Sequence, residues 1–117
     1  MTKRYEIERS PAAASDLRSI LTFLIRSYVQ FGEPFDTAKA RAALRVNGIE
    51  DEMEVLAARP HQGTLHPKLM PGLRSVAKDR AVFYFTIDEE KHVVRVLAVF
   101  FGGQDHQRAM LKRMMGE

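Results

Sequence analysis

Four cations punctuate the late, apolar part of this chain: Arg74, Lys78, Arg80 and Arg95. Arg74 and Arg95 interrupt apolar stretches, and a guanidinium inside a strand faces solvent, an acid or a phosphate. If helices cover one face of the sheet, these cations are expected on or beside the other, as a basic groove for RNA, DNA or an acidic peptide. The alternative is a solvated face with ion pairs to Asp79, Asp88 and the Glu89-Glu90 turn. The histidines come next. His61 and His66 lie five apart in a loop with Pro60 and Pro67, His92 opens a strand, and His106 follows Asp105. A metal centre would want a third ligand at helical or strand spacing, and none is evident, so neither metal nor cofactor is expected. His106 falls where the last strand ends, placed to act as general acid or base on a bound phosphate. Beside an aspartate at a helix start, it serves equally as part of a cap. Gly102-Gly103 lacks the spacing and the crossover context of a phosphate-binding loop, and its simpler meaning is a sharp exit of the chain from the sheet. No Ser-His-Asp set or nucleophile elbow is present. Cysteine is absent, which removes disulfides, thiolate ligands and thiol nucleophiles.

The elements that must position these residues follow from periodicity. "KRYEIERS" alternates, with Tyr5 and Ile7 on one face, and reads as a half-buried strand. Ser10 followed by Pro11 starts a helix, and Leu17, Ile20, Leu21, Leu24, Ile25 and Tyr28 give it one wide apolar stripe that ends at Gly32 and Pro34. A second helix opens near Asp36 or Thr37, carries Ala38, Ala42, Ile49, Met53 and Leu56, and stops before Pro60, with a bend expected at Asn47-Gly48. "RPHQGTLHPKLMPG" reads as a loop. "LRSVAKD", "RAVFYFTID" and "HVVRVLAVFFG" read as strands joined by short turns, hence antiparallel neighbours. The last two are nearly continuous apolar runs, the pattern of strands covered on both faces. A short amphipathic tail helix follows, with Met110, Leu111, Met114 and Met115 on one side. The expected fold is α+β: an N-terminal strand, an antiparallel helical hairpin on a mainly antiparallel four-stranded sheet, and the tail helix.

Length and composition agree with one domain spanning residues 1–117. No apolar run reaches the ~18 residues of a membrane span, and "MTKRYEIERS" has no apolar core of signal-peptide length, so a cytoplasmic protein without membrane partners is expected. The net charge of +3 fits an acidic partner without choosing between nucleic acid and protein.

Three segments, "YEIERSPAAASDLRSILTFL", "GLRSVAKDRAVFYFTID" and "VVRVLAVFFGGQDHQRAML", resemble in order and spacing the toxins of the RelE/ParE superfamily, the toxin halves of bacterial type II toxin–antitoxin modules. The resemblance runs from Tyr5 to Leu111. It implies a cognate antitoxin, ParD-like and carrying a ribbon-helix-helix domain, whose extended acidic and apolar segment wraps the toxin. It also implies one of two targets: RelE-like members cleave mRNA on the ribosome, whereas ParE-like members poison DNA gyrase. RelE-like nucleases carry an arginine after the last strand and a tyrosine near the C-terminus, and the corresponding positions here are Gln104 and Met110. Gln supplies no fixed charge and Met no proton. Arg74 matches a basic residue of the nucleases. The "GGQDH" ending looks more like ParE-like endings. The resemblance therefore favours a binding inhibitor of gyrase, with Arg74, Arg80, Arg95, Gln104, Asp105 and His106 as target contacts and Met110 and Met114 contributing from the tail, where methionines adapt to irregular apolar surfaces. The alternative is a ribosome-dependent mRNA endonuclease in which Arg74 and Arg80 bind phosphate and His106 is the acid or base.

Overall fold

The computed structural model describes residues 4–103 and 105–116. The elements run β1 (Glu6–Arg9), α1 (Pro11–Gln30), α2 (Phe35–Val55), β2 (Thr64–Leu65), β3 (Arg74–Lys78), β4 (Ala81–Asp88), β5 (Val93–Phe101) and α3 (His106–Met114). The sheet order is β1-β5-β4-β3-β2. β2 to β5 form an antiparallel meander, and β1 joins the edge of β5 in parallel. The α+β reading therefore stands, with five strands rather than four. The additional strand, β2, is a two-residue piece of the segment read as loop. Two residues are too few for alternation to register.

Ser10 sets the start of α1. Its Oγ accepts from Ala13 N at 3.0 Å, satisfying one of the helix's orphan donors, while its hydroxyl lies 3.2 Å from Leu97 O and its N–H reaches Val96 O. The cap thus also ties the helix to β5. α2 begins at Phe35 and runs unbroken through Asn47-Gly48, against the expected bend. No atom lies within 4 Å of where a Gly48 Cβ would stand, so the helix pays only its propensity.

The sheet has two cores. Leu17, Ile20, Leu24, Ala42, Val46, Ile49 and Met53 of the hairpin pack on Phe83, Phe85, Val94, Val96 and Val99. On the opposite face Leu73, Val82, Tyr84, Ala98, Phe100 and Met110 form a second cluster. β5 contributes Val94 and Val96, then Val99, to the same face because of a bulge: Phe85 pairs with Val96 while Tyr84 pairs with Ala98, leaving Leu97 as the extra residue. Burial of Phe83 and Phe85, each 0% exposed, stabilises the fold by roughly 1.5–3 kcal/mol per side chain. The tail helix departs from its expected apolar side. Met110 is buried and Met114 partly so, but Leu111 and Met115 are 44% and 65% exposed.

The Asp79-Arg80 turn has φ of 52° and 73°, left-handed backbone without glycine. Arg45 holds it from α2, donating to Asp79 Oδ2 at 2.9 Å and to Asp79 O at 2.7 Å. Gly63 is constrained more severely. With φ at +84°, a Cβ there would stand 2.2 Å from Ser75 O and 2.5 Å from Val76 Cγ2. Gly63→Ala should therefore destabilise the protein by at least the ~1–3 kcal/mol of a strained backbone position, read as a lower urea midpoint at unchanged m-value.

Candidate functional site

The second sheet face carries a compact group of titratable side chains. Tyr84 points there from β4, wholly buried at its ring, and its hydroxyl lies 2.8 Å from His106 Nδ1 at the start of α3. His66, on the loop after β2, places Nε2 2.7 Å from the hydroxyl of Ser75 and its ring 5.4 Å from that of Tyr84. The two imidazoles thus flank one phenol. The loop that holds His66 is closed by its own backbone: His66 N–H donates to Leu73 O, and Leu69 and Met70 N–H both reach back to His66 O.

Burial, then the nearby charge of His106, lowers the His66 pKa. Burial, then the Asp105 carboxylate, raises that of Tyr84, so the phenol keeps its proton at neutral pH. Asp105 itself caps α3, accepting from Arg108 N at 3.1 Å. Over this cluster opens a groove of about 500 Å³, lined by Leu65, His66, Pro67, Lys68 and Leu69 on one bank and Asp105, Gln107, Arg108 and Leu111 on the other. It combines apolar contact area with two cations.

α3 is clamped onto this face from behind. Arg113 donates to both oxygens of Asp16 on α1, at 2.7 and 2.8 Å, and its guanidinium lies 5.1 Å from the Phe100 ring centroid. Asp16 Oδ2 also accepts from Val99 N at 2.9 Å. The bidentate pairing raises the Arg113 pKa further above its ordinary value.

The predicted site residues are not gathered in one place. Arg74 pairs in register with Phe85 and Lys78 with Ala81, so both lie on the face covered by the hairpin rather than the opposite one. Arg80 stands in the turn beyond the far end of β3 from Arg74, a strand that spans about 13 Å, with its guanidinium over the ring of Phe101. Arg95 is on the second face, but bonded to Glu8 at 2.9 Å rather than to the Asp79, Asp88 or Glu89-Glu90 acids. Asp105 lines the groove, His106 meets the Tyr84 hydroxyl, Met110 and Met114 pack α3 into the second core, and Gln104 lies outside the described residues. His61 separates from His66 and pairs with Glu89, which also accepts from the Tyr5 hydroxyl at 2.7 Å. His66, Ser75, Tyr84, Lys68 and Arg108 were missed as site members. The alternation in "AVFYFTID" places Tyr84 opposite Phe83 and Phe85, which was the available signal; the loop residues gave none.

The sequence matches no family model and no curated protein. Solved structures match by shape. The toxin–antitoxin system ParDE from P. aeruginosa has a chain superimposing with a TM-score of 0.62 at 19% identity, covering 86% of this chain and 98% of that one. The RelBE2 complex from Mycobacterium tuberculosis gives 0.57 at 17% identity, covering 89% and 98%. A RelE toxin mutant from E. coli, in the free state, gives 0.59 at 11% identity, covering 95% and 97%. The chain has the RelE/ParE toxin fold.

The lowered His66 pKa carries a pH signature. The native state favours the neutral ring, so its stabilising effect is complete above the unfolded value of 6.5 and is lost as pH falls from there through the lower folded value. Unfolding free energy should fall as acid is added below about pH 6.5, and His66→Gln should flatten that slope in denaturant titrations repeated across the range.

Proposed function

We propose that this protein is the toxin of a type II toxin–antitoxin module, that a cognate ParD-like antitoxin with a ribbon-helix-helix domain neutralises it by direct binding in the cytoplasm, and that its target is DNA gyrase. The fold shared with the ParE and RelE chains supports the toxin reading by analogy. The observation that carries a binding mechanism is the rim of the groove. Leu65 and Leu111 are exposed at 52% and 44%, and Lys68 and Arg108 stand beside them. Exposed apolar side chains among guanidinium and ammonium groups on a preformed surface have the composition of a protein docking site. Arg74 and Arg80, at opposite ends of β3 on the helix-covered side, do not converge with His106 on one phosphate. The nuclease set expected from sequence is therefore not assembled, which favours contact over bond-breaking.

The test is plasmid supercoiling by purified gyrase and ATP. The protein should block supercoiling or leave linear DNA after protease treatment, and adding antitoxin should restore the reaction. Arg108→Glu with Leu111→Asp, both exposed, should raise the concentration needed for inhibition by at least about tenfold, a loss of roughly 1.4 kcal/mol of binding. Unaffected gyrase would overturn the target.

A second reading, ribosome-dependent mRNA cleavage, is favoured by one observation: two imidazoles flank Tyr84, and one of them, His66, lines the groove with Lys68 and Arg108. Imidazoles are the side chains most used as general acid and base, and the cations would hold a phosphodiester. On this reading His106→Gln lowers the rate of mRNA cleavage on ribosomes by about 100-fold or more while circular dichroism stays unchanged.

A further inference from the structure

The positive charge of this chain is not spread evenly. α1 carries Asp16, Arg18 and Arg26, and α3 carries Arg108, Lys112 and Arg113. That is five cations against one carboxylate, an excess of four, whereas the whole chain has a net charge of +3. The remainder of the chain is therefore slightly acidic, and α2 shows it in Glu50, Asp51, Glu52 and Glu54. The two basic helices are neighbours, because Arg113 of α3 holds Asp16 of α1 in the bidentate pair. That contact consumes the single carboxylate of the two helices.

What remains faces solvent. Ser15, Arg18, Ser19, Thr22, Phe23 and Arg26 are all exposed and line a shallow cleft of about 470 Å³ along α1. Their spacing of three and four residues puts them on one side of the helix. Neither Arg18 nor Arg26 has a carboxylate partner among the described residues, whereas Arg41 and Arg45 on α2 hold Glu33 and Asp79. The stripe is thus a row of guanidinium and hydroxyl groups with no carboxylate among them.

We infer that the outer surface of α1 is a docking face for the phosphate backbone of duplex DNA. Arginine and hydroxyl side chains are the groups that hold phosphate oxygens. Arg18 and Arg26 are eight residues apart, about 12 Å of helix rise, a length over which one strand of duplex DNA presents about three phosphates. Of aromatic side chains the stripe exposes Phe23 alone, at 57%, and a single ring gives no platform for the successive bases of a single strand. The contact is to the backbone, so it positions the protein without reading sequence. It goes beyond the gyrase reading, and its test contains no gyrase, so the two fail separately.

The experiment is fluorescence anisotropy of a short fluorescein-labelled duplex of arbitrary sequence, titrated with the full chain at several salt concentrations. With about three phosphates neutralised, log K should fall against log salt with a slope near −3. Arg18→Gln with Arg26→Gln should weaken binding at least tenfold at about 50 mM salt and reduce the slope by about 2. Arg41→Gln, which removes one positive charge on α2, should leave affinity within about twofold. Absence of binding at low salt overturns the inference, as does an equal loss in Arg41→Gln. If poly-L-glutamate displaces the duplex at equal charge, the face belongs to an acidic protein segment. If a single strand binds as tightly as the duplex, the assignment to duplex DNA fails.

Discussion

A sheet that is apolar on both faces needs cover on both, and a single helical hairpin supplies only one. β4 makes the requirement acute, since Val82 and Tyr84 point away from the hairpin while Phe83 and Phe85 point into it, all within the buried stretch of the strand. Leaving Val82, Tyr84, Ala98 and Phe100 in water would forfeit the transfer free energy of four side chains and invite association through the exposed strand face. The chain meets the demand with two modest pieces, the loop after β2 and the helix α3, neither of which covers the whole face. Their incomplete meeting is the groove.

How α3 is held decides what the groove presents. Met110 inserts into the second core, His106 meets the Tyr84 hydroxyl, and Asp16 receives Arg113 together with Val99 N–H. Asp16 is thus shared by α1, β5 and α3. Its two oxygens take three donors, which keeps a mostly buried carboxylate satisfied and orients the tail through a paired charge rather than through apolar area alone. One helix thereby borders the groove with Arg108 and Leu111 and holds α1 through Arg113.

Much of the fold could be read from residue order, because the patterns are local. Ser10-Pro11 marked the start of α1, the stripe from Leu17 to Tyr28 marked its buried side, and the apolar runs around Phe83 and Val96 marked the central strands. Three features escaped for physical reasons. β2 is too short to alternate and exists only because Gly63 lets the chain pass against Ser75 O. The Leu97 bulge shifts the phase of β5, so alternation read straight through from Val93 places half of the strand on the wrong face. Gly48 costs α2 helix propensity, but the packing of Val46, Ile49 and Met53 outweighs it. The candidate site was legible only at Asp105 and His106. His66, Lys68 and Tyr84 come from a loop, a turn and a strand centre, and no strand or helix period relates them.

The sequence by itself determined the class of the fold, the helical hairpin, the meander and the basic excess, since helix and strand periodicity and net charge are properties of neighbouring residues and of sums. Only the tertiary structure decided which cations share a surface. Arg74, Arg80 and Arg95 are close in a list of late arginines, yet register sends the first to the hairpin side, turn geometry sets the second over Phe101, and the parallel pairing with β1 gives the third to Glu8. Asp16 and Arg113 are far apart in the chain and joined in one bidentate pair. Side-chain direction in a sheet depends on register and bulges, and those are settled by which faces must be buried, a condition that the whole chain satisfies at once.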